Sequence, residues 1–365
     1  ISGSTTRLET FRQCPFRHFA MYGLGLKERD VYEFQSNDFG TLLHEILHGY
    51  GEWVRTKHAN DWCAAEPDSA AKIDELMHEV IPRIRSSVLM SRASYRHRIE
   101  RIRRTAQQVI RHLTSWAKAS SFHPLGFEIS FGRGMDDVRL EEFQLAGGAT
   151  LSLRGQIDRF DVTKTRDYYL VLDYKTGGTS LKMQLLLYLF VIRSLLHDTD
   201  SFPAGMLYAP VVNPIIKSDV RLDDSDLHKM VAKDMVLTGM LIDDPEITQS
   251  VDAMGEHLCI TFNKDKSISK ASARHIRSRE EFEQLLAYLP QLIRTTAEEI
   301  LRGNIQVAPY RFRDRNACTF CSYRSICSFD PELGQGDRYR EIADNAQAAM
   351  EEIAQMVCGE VKSDG

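Results

Sequence analysis

Two strand-like segments that follow each other closely constrain this chain more than any other feature of its sequence. Residues 151–162 and 168–175 are rich in β-branched and aromatic residues, whereas the intervening residues 163–167 lack strand character. A hairpin through that interval is symmetric about its centre, so Asp158 and Asp173 lie opposite each other with β-carbons about 5 Å apart. The sequence therefore predicts two adjacent carboxylates on one sheet.

A cation is needed beside such a pair, because two carboxylates this close repel each other. Lys175 stands two residues after Asp173 and so lies on the same face of the strand. An acidic pair with an ammonium group indicates a Mg²⁺ or Mn²⁺ site in which Lys175 orients or deprotonates an attacking water. The alternative is that both strands end in solvated aspartates, with Lys175 as an ordinary ion-pair partner. Asp161 has the opposite parity from Asp158 and is predicted to be a solvated surface residue.

Helical spacing of apolar residues and short runs of strand-forming residues divide the rest of the sequence. The helix after the second strand places Gln184 and Tyr188 one turn apart on one face. Upstream, another helix carries Gly40 and His44. From Asp223 onward the chain is predicted to be helical. The predicted helices cover 39–55, 70–118 with an interruption near Pro82, 181–196 and 279–302, and further strands cover 127–132 and 206–212.

Four short motifs stand in one order: G-x-x-x-H at 40–44, G-x-I-D at 155–158, D-x-K at 173–175 and Q-x-x-x-Y at 184–188. This set resembles the RecB-type branch of the PD-(D/E)XK nuclease superfamily. The resemblance implies an α/β fold with a restriction-endonuclease-like core, large helical insertions and metal-dependent hydrolysis of phosphodiester bonds. It also implies a set of functional residues, namely His44, Asp158 and Asp173 as metal ligands, Lys175 beside the attacking water, and Gln184 and Tyr188 as positioning groups for the site and the phosphate backbone.

The helix with the first motif also carries a competing signature. His44, Glu45 and His48 form a literal H-E-x-x-H, in which two histidines share a helix face as in zinc metalloproteases. The third histidine of the longer metzincin pattern is replaced by Val54. A zinc protease is therefore one alternative function, and a non-catalytic DNA-binding module with a structural metal is another. On the nuclease interpretation, His48 is a helix-surface or packing residue.

Three cysteines, Cys318, Cys321 and Cys327, form a C-x₂-C-x₅-C pattern, and Cys14 is the other cysteine in a comparable setting. Thiolate ligation alone suits zinc or an iron–sulfur cluster, and unligated thiols are a third option. Zinc sites favour two paired knuckles, for which a lone cysteine far away in sequence is atypical. The other cysteines have no partner by spacing and are predicted to be buried or incidental thiols: Cys63, Cys259 and Cys358.

One distant cysteine with three clustered ones is similar to the pattern of iron–sulfur RecB-type nucleases. That similarity implies a 4Fe–4S cluster that staples the two ends of the chain together around the core. Residues 4–332 further resemble the nuclease domain of AddAB-type helicase–nucleases, which forms the C-terminal part of a longer chain. This resemblance implies a Mg²⁺-dependent exonuclease on DNA, single-stranded at the site and cut on the 5′-ended strand, with the subunit AddA as partner in double-strand break repair.

Charge and hydropathy limit where DNA can bind and where the protein works. Lys and Arg number 46 against 51 Asp and Glu, a net charge of −5, so DNA must be held by a local basic surface. The apolar runs are too short to span a membrane. No signal peptide is visible, and the cysteines are not spaced as a secreted disulfide framework, so a cytoplasmic location is expected. The arginines that are candidates for DNA contacts are Arg92, Arg96, Arg98, Arg101, Arg103 and Arg104.

These patterns divide the chain into segments with different roles. The predicted segments are an N-terminal arm with the first cluster cysteine (1–35), a helical region with the motif histidine (36–125), the nuclease core (126–215), a second helical region (216–305), the cysteine segment (306–332) and a polar tail (333–365).

Overall fold

A mixed sheet, built outward from the predicted hairpin, organises the fold. The computed structural model describes the chain except residues 1, 30–32, 84–88, 90–91, 94, 133, 135–136, 178–182, 198, 266, 343–344 and 361–365, and except the side chains at 36, 346 and 358–360. The strands of the sheet are β1 (Ser2–Ser4), β2 (His123–Gly132), β3 (Val138–Arg139), β4 (Phe143–Gln144), β5 (Thr150–Val162), β6 (Tyr168–Lys175), β7 (Phe202–Pro210), β8 (Thr238–Ile242) and β9 (Ile276–Arg277). Their order is β3-β2-β5-β6-β7-β8-β9, with β1 and β4 also paired to β5.

The hairpin of β5 and β6 forms in the predicted register. Arg159 pairs with Leu172 in the antiparallel ladder, and the same register continued by one residue places Asp158 opposite Asp173. Strand β7 then pairs with β6 in parallel, so the chain crosses over between them. The predicted pairing of the two acidic strands is therefore confirmed.

Helices cover both faces of the sheet, because alternate residues of β6 point to opposite sides. The helices are α1 (Thr5–Gln13), α2 (Pro15–His18), α3 (Ser36–Lys57), α4 (Trp62–Ala65), α5 (Ser69–Val80), α6 (Tyr95–Ala119), α7 (Met183–Leu195), α8 (Asp224–Asp234), α9 (Pro245–Val251), α10 (Arg279–Leu301), α11 (Arg324–Cys327) and α12 (Ala346–Glu360). Leu170 and Leu172 pack with α3, α5 and α6 on one face, and Val171 packs with α7 and α10 on the other.

Helix α3 packs closely against strand β2. A Cβ added at Gly51 would lie 2.5 Å from the ring of Phe127, so a larger residue here would force that ring to move. Two turns before Gly51 the same helix carries His44, which therefore reaches the end of the sheet where β5 and β6 carry their aspartates. The packing of α3 thus fixes the position of the motif histidine.

The prediction that the chain is helical from residue 223 onward is wrong in part. Strand β8 lies in this region and extends the sheet by antiparallel pairing with β7, and β9 follows it in parallel. At Gly239 of β8 a Cβ would lie 2.1 Å from the Met206 carbonyl oxygen, which explains the glycine in this strand. A strand of five residues that includes glycine is too short to show a clear alternating pattern.

Asp161 is also not the solvated surface residue that the strand parity predicts. Its side chain is fully buried, and both carboxylate oxygens accept hydrogen bonds from Arg159, from Nε at 2.7 Å and Nη2 at 2.6 Å. The Arg159 guanidinium also lies over the rings of Trp62 and Trp116, at 5.1 and 5.3 Å from the ring centres. Asp161 does face away from Asp158, but helices α4 and α6 cover that face.

The two ends of the described chain meet beside the core. The Phe16 backbone N–H donates to the Gln306 carbonyl at 3.0 Å, and the Tyr323 hydroxyl donates to the Leu26 carbonyl at 2.8 Å. A small sheet of β10 (Tyr310–Phe312), β11 (Arg315–Asn316) and β12 (Arg340–Glu341) lies in the C-terminal segment, in the order β11-β10-β12. Within the described residues, no helix combines the length and apolar character needed to cross a bilayer.

Candidate active site

Three carboxylates stand in a row across three neighbouring strands. Strand β2 pairs with β5 so that the register on either side places Glu128 opposite Asp158, and Asp158 lies opposite Asp173 of β6. Glu128 has a φ of 49°, an unusual backbone conformation for this residue type. The sequence prediction missed Glu128, because only the pairing of β2 with β5 reveals that this acid faces the site.

His44 approaches the row from helix α3. Its Nε2 donates to the Tyr174 carbonyl oxygen at 3.0 Å, and its Nδ1 lies 3.4 Å from Asp158 Oδ2 and 3.9 Å from Glu128 Oε1. Burial lowers the pKa of His44, but the hydrogen bond and charge of Asp158, with the charge of Glu128, outweigh it and raise the pKa above its ordinary value. The ligand atoms of His44, Glu128 and Asp158 all lie within 4.8 Å of one another.

Asp173 and Lys175 form the other half of the site. The Asp173 side chain is 1% exposed, and its Oδ2 lies 2.5 Å from Lys175 Nζ, with no well-directed hydrogen bond to that oxygen from any described residue. Lys175 Nζ also donates to Gln184 Oε1 at 3.4 Å, and Gln184 Nε2 donates to the Tyr188 hydroxyl at 2.6 Å. The six predicted site residues thus form two contact groups, His44 with Asp158 and Asp173 with Lys175, Gln184 and Tyr188, which the pairing of β5 with β6 places side by side. Asp173 is not part of the group of close ligand atoms that His44 and Asp158 form with Glu128.

The carboxylates of this site are crowded, and their pKa values show it. Burial, followed by the charge of Asp158, raises the pKa of Asp173 to about 6, although Lys175 opposes this shift. Burial and the same Asp158 charge raise the pKa of Glu128 to about 7. Each carboxylate loses solvation and gains a like charge, so a cation among them would relieve both costs.

A cavity of about 540 Å³ opens onto this group. His48 and Glu45 line the cavity too, but among the described residues His48 belongs to no group of three close ligand atoms. His44 instead faces the acidic strands, so the two histidines of the H-E-x-x-H pattern are not gathered with a third ligand. The lining residues are Asn37, Gly40, Thr41, His44, Glu45, His48, Glu128, Gln156, Asp158, Tyr174, Lys175, Thr176 and Gly177.

The cysteine segment has a looser arrangement. Cys14 is buried between α1 and α2, while the other three thiols, on the segment around α11, are partly exposed. Burial raises the pKa of Cys318 to about 11, and the nearby thiols of Cys14, Cys321 and Cys327 raise it as well. In the described part of the chain these sulfurs do not form a group within 4.8 Å of one another. Cys63 is exposed, Cys259 is partly buried, and the side chain of Cys358 lies outside the described residues.

Comparison with known proteins gives a consistent result. The chain is 34% identical over 362 residues to the B subunit of the ATP-dependent helicase/deoxyribonuclease of Symbiobacterium thermophilum, a match that covers 93% of the chain and 31% of that protein. It is 29% identical to the protein of the same name from Clostridium kluyveri, over 95% of the chain and 31% of the relative. A third, from Thermoanaerobacter sp. (strain X514), is 31% identical over 100% of the chain and 33% of its own length.

The chain thus spans about a third of the length of these curated relatives. The sequence profile of the PD-(D/E)XK nuclease superfamily matches residues 2–328, which include all four motifs and the strands that carry the carboxylates. The mixed α/β fold agrees with this match. The chain belongs to the PD-(D/E)XK nuclease superfamily.

Proposed function

We propose that this chain is the nuclease part of a helicase–nuclease and hydrolyses phosphodiester bonds of DNA with a divalent metal. The observation that carries the proposal is one cavity lined by His44, Glu128, Asp158 and Lys175, with the Asp173 carboxylate in contact with Lys175. The similarity to helicase/deoxyribonuclease B subunits supports DNA as the substrate. A zinc protease is not favoured, because His48 belongs to no group of three close ligand atoms among the described residues.

The residues present fit a hard divalent cation such as Mg²⁺ or Mn²⁺. Their donor set is mostly carboxylate oxygen, and Asp173 Oδ2 is a buried oxygen without a well-directed hydrogen bond. His44, Asp158 and Asp173 would hold the ion, and Glu128 stands close enough to His44 and Asp158 to join them. When bound, such an ion stabilises the negative charge that develops on the scissile phosphate.

Lys175 supplies the charge next to the attacking water. Its ammonium group is fixed between the Asp173 carboxylate and the Gln184 amide, and Tyr188 in turn holds that amide. A fixed ammonium group can orient a water and stabilise the charge of the transition state without reorganising. The nucleophile is then water, and the enzyme forms no covalent intermediate with the strand.

A 4Fe–4S cluster is proposed on Cys14, Cys318, Cys321 and Cys327. Four thiolates without other ligands suit an iron–sulfur cluster. The other three thiols raise the pKa of Cys318, so the four lie near one another although Cys14 is far from the rest in sequence. The backbone contact from Phe16 to Gln306 already joins those ends. The cluster would act as a structural staple.

The setting of the reaction is also proposed. By similarity to the named relatives, the chain would work with a helicase partner of the AddA type in the cytoplasm. It would degrade the 5′-ended single strand as an exonuclease during double-strand break repair.

A nuclease assay on single-stranded DNA with Mg²⁺ tests the proposal most directly. Wild-type protein should release nucleotides, and the Asp173→Ala variant should not. The Asp226→Ala variant, which removes an exposed aspartate of α8, is the control and should cleave normally. Full cleavage by Asp173→Ala would overturn the assignment of the site.

A further inference from the structure

Helix α7, which carries Gln184 and Tyr188, begins in contact with the N-terminal helix α1. Gln184 is the second residue of α7, so its backbone N–H lies in the first turn, where the helix itself offers no acceptor. That N–H donates instead to Glu9 Oε1 of α1 at 3.1 Å. A carboxylate at this end of a helix also faces the positive end of the helix dipole. Glu9 therefore caps a helix whose contacting residue lies 175 positions away in sequence.

Glu9 has a defined position because two contacts anchor α1 to the rest of the core. Strand β1, directly before α1, pairs in parallel with β5, and Ser4 Oγ at its end accepts a hydrogen bond from the Arg7 N–H at 3.3 Å. Leu8, next to Glu9 in sequence, is buried in the same hydrophobic cluster as Leu185 of α7. Glu9 itself is half-buried. Its carboxylate is thus held relative to both the sheet and α7.

The first turn of α7 also places the amide that contacts Lys175. Gln184 Oε1 accepts from Lys175 Nζ at 3.4 Å, and Gln184 Nε2 donates to the Tyr188 hydroxyl at 2.6 Å. The contact with Lys175 is near the upper limit for a hydrogen bond, so a shift of this turn by about 1 Å would break it. Glu9 and Met183 line a separate cavity of about 990 Å³, so side-chain packing does not fill the space beside the turn. The hydrogen bond from Gln184 to Glu9 is therefore the contact that restrains it.

We propose that Glu9 is a positioning residue, which caps α7 and so holds the Gln184 amide where it can fix Lys175. This inference rests on the proposed function, in which Lys175 stands beside the attacking water. A small misplacement of a group at a reacting centre lowers the rate of the chemical step more than it weakens substrate binding. Gln184 and Lys175 belong to a different contact group from His44 and Asp158, so the Mg²⁺ requirement should change little.

The test compares two glutamates that make the same kind of contact. Glu298 Oε1 of α10 accepts from the Ala146 backbone N–H at 3.0 Å, on a segment that carries none of the candidate site residues. Glu9→Ala and Glu298→Ala thus each take a carboxylate away from one backbone N–H. With Mg²⁺ and a single-stranded oligonucleotide, we expect Glu9→Ala to lower kcat roughly 5- to 20-fold with KM for DNA unchanged. Glu298→Ala should cleave like the wild type.

Further variants separate positioning from a general loss of stability. In a Gln184→Ala background the amide is already absent, so adding Glu9→Ala should lower kcat by less than about twofold. Glu9→Gln keeps an acceptor oxygen at the same reach and should recover most of the rate that Glu9→Ala loses. Glu9→Asp keeps the charge but withdraws the oxygen by one methylene, and it should lower kcat even if Glu9→Ala fails to fold.

The outcomes distinguish the inference from the proposed function. If Glu9→Ala lowers kcat as much in the Gln184→Ala background as in the wild type, Glu9 does not act through Gln184 and the inference is overturned. Wild-type rates for both Glu9→Ala and Glu9→Asp, or an equal loss in Glu298→Ala, would also overturn it and leave the nuclease proposal intact. Absence of cleavage by the wild-type protein would overturn the proposed function, and the inference with it.

Discussion

The candidate active site and the cysteine segment differ in the kind of backbone that carries their side chains. In the candidate active site, three carboxylates are anchored on adjacent strands, and the candidate side chains contact one another in two neighbouring groups. In the cysteine segment, the thiols lie on short helices and irregular backbone at the two ends of the chain, and most of them are partly exposed. The sheet therefore sets the geometry of the first region without a bound metal, whereas the second would depend on the proposed cluster to bring its thiols together.

The largest expected effect is on catalysis. Replacing Asp173 or Lys175 by alanine should lower the rate of DNA cleavage by at least about 10²–10³-fold, because in the proposed mechanism both side chains carry charge at the reacting phosphate. Affinity for DNA should change only a few-fold, since the loss lies in the transition state. Cleavage rates and binding of a labelled strand, measured side by side, check this. A large loss of binding with normal turnover of bound DNA would contradict it.

The stability of the sheet region can be tested by removing the buried ion pair of Arg159 and Asp161. Asp161→Ala leaves the Arg159 guanidinium buried without its charge partner, so the free energy of unfolding should fall by about 3–5 kcal/mol. Urea unfolding followed by circular dichroism measures this. Asp226 pairs with Lys229 at an exposed position, so Asp226→Ala is the matched control and should cost about 0–1 kcal/mol. Equal losses for both variants would show that the buried pair does not stabilise the sheet.

The cysteine segment should respond differently. Cys14→Ala should remove the brown colour of the proposed cluster and lower stability by about 2–4 kcal/mol, on the order of a disulfide that closes a long loop. Visible absorbance, iron and sulfide content and the melting temperature check this, and Cys63→Ala should change none of them. Anaerobically purified protein with one zinc and no iron or sulfide would refute the cluster and leave the nuclease assignment standing.

The crowded carboxylates predict a smaller, pH-dependent effect. The pKa of Asp173 is raised to about 6 in the folded protein, so its ionised form destabilises the folded state. This destabilisation is absent below the pKa of the unfolded chain and grows as the pH rises through about 6. Metal-free protein should thus lose unfolding free energy between about pH 4 and 7, and Asp173→Asn should lose less. Unfolding in EDTA at several pH values measures the difference between the two proteins. If the free energy of unfolding fell more steeply with pH in Asp173→Asn than in the wild type, this pH dependence could not be assigned to the Asp173 carboxylate.

The last comparison separates the two histidines of α3, and the effect expected for His48 is the smallest of all. His44→Ala should impair cleavage severely, because His44 contacts the carboxylate row, whereas His48→Ala and Glu45→Gln should stay within a few-fold of wild type. Cleavage rates at saturating Mg²⁺ decide this. If His48 proved as important as His44, a site with two histidine ligands would have to be reconsidered.

Much of this arrangement can be predicted from sequence, because it depends on local periodicity. The hairpin register follows from the position of the interruption between two strands, and it places Asp158 opposite Asp173 correctly. The sequence could not predict the positions of Glu128 and Asp161, and the reason is the same for both. Parity tells which face of a strand a side chain occupies, but only tertiary packing decides what stands opposite or on top of it. The ligand roles of the site residues and the cysteines stay predictions until they are measured.

The spread of the ligand residues along the chain has a consequence for folding. The group of ligand atoms draws on positions 44, 128 and 158, and the parallel pairing of β1 with β5 joins residues about 150 positions apart. Contacts of such long range form slowly, because the loop must close before the contact can stabilise it. A partly folded chain therefore has the individual acids but no assembled centre. We therefore expect the proposed capacity to cut DNA to appear only once the complete sheet has formed.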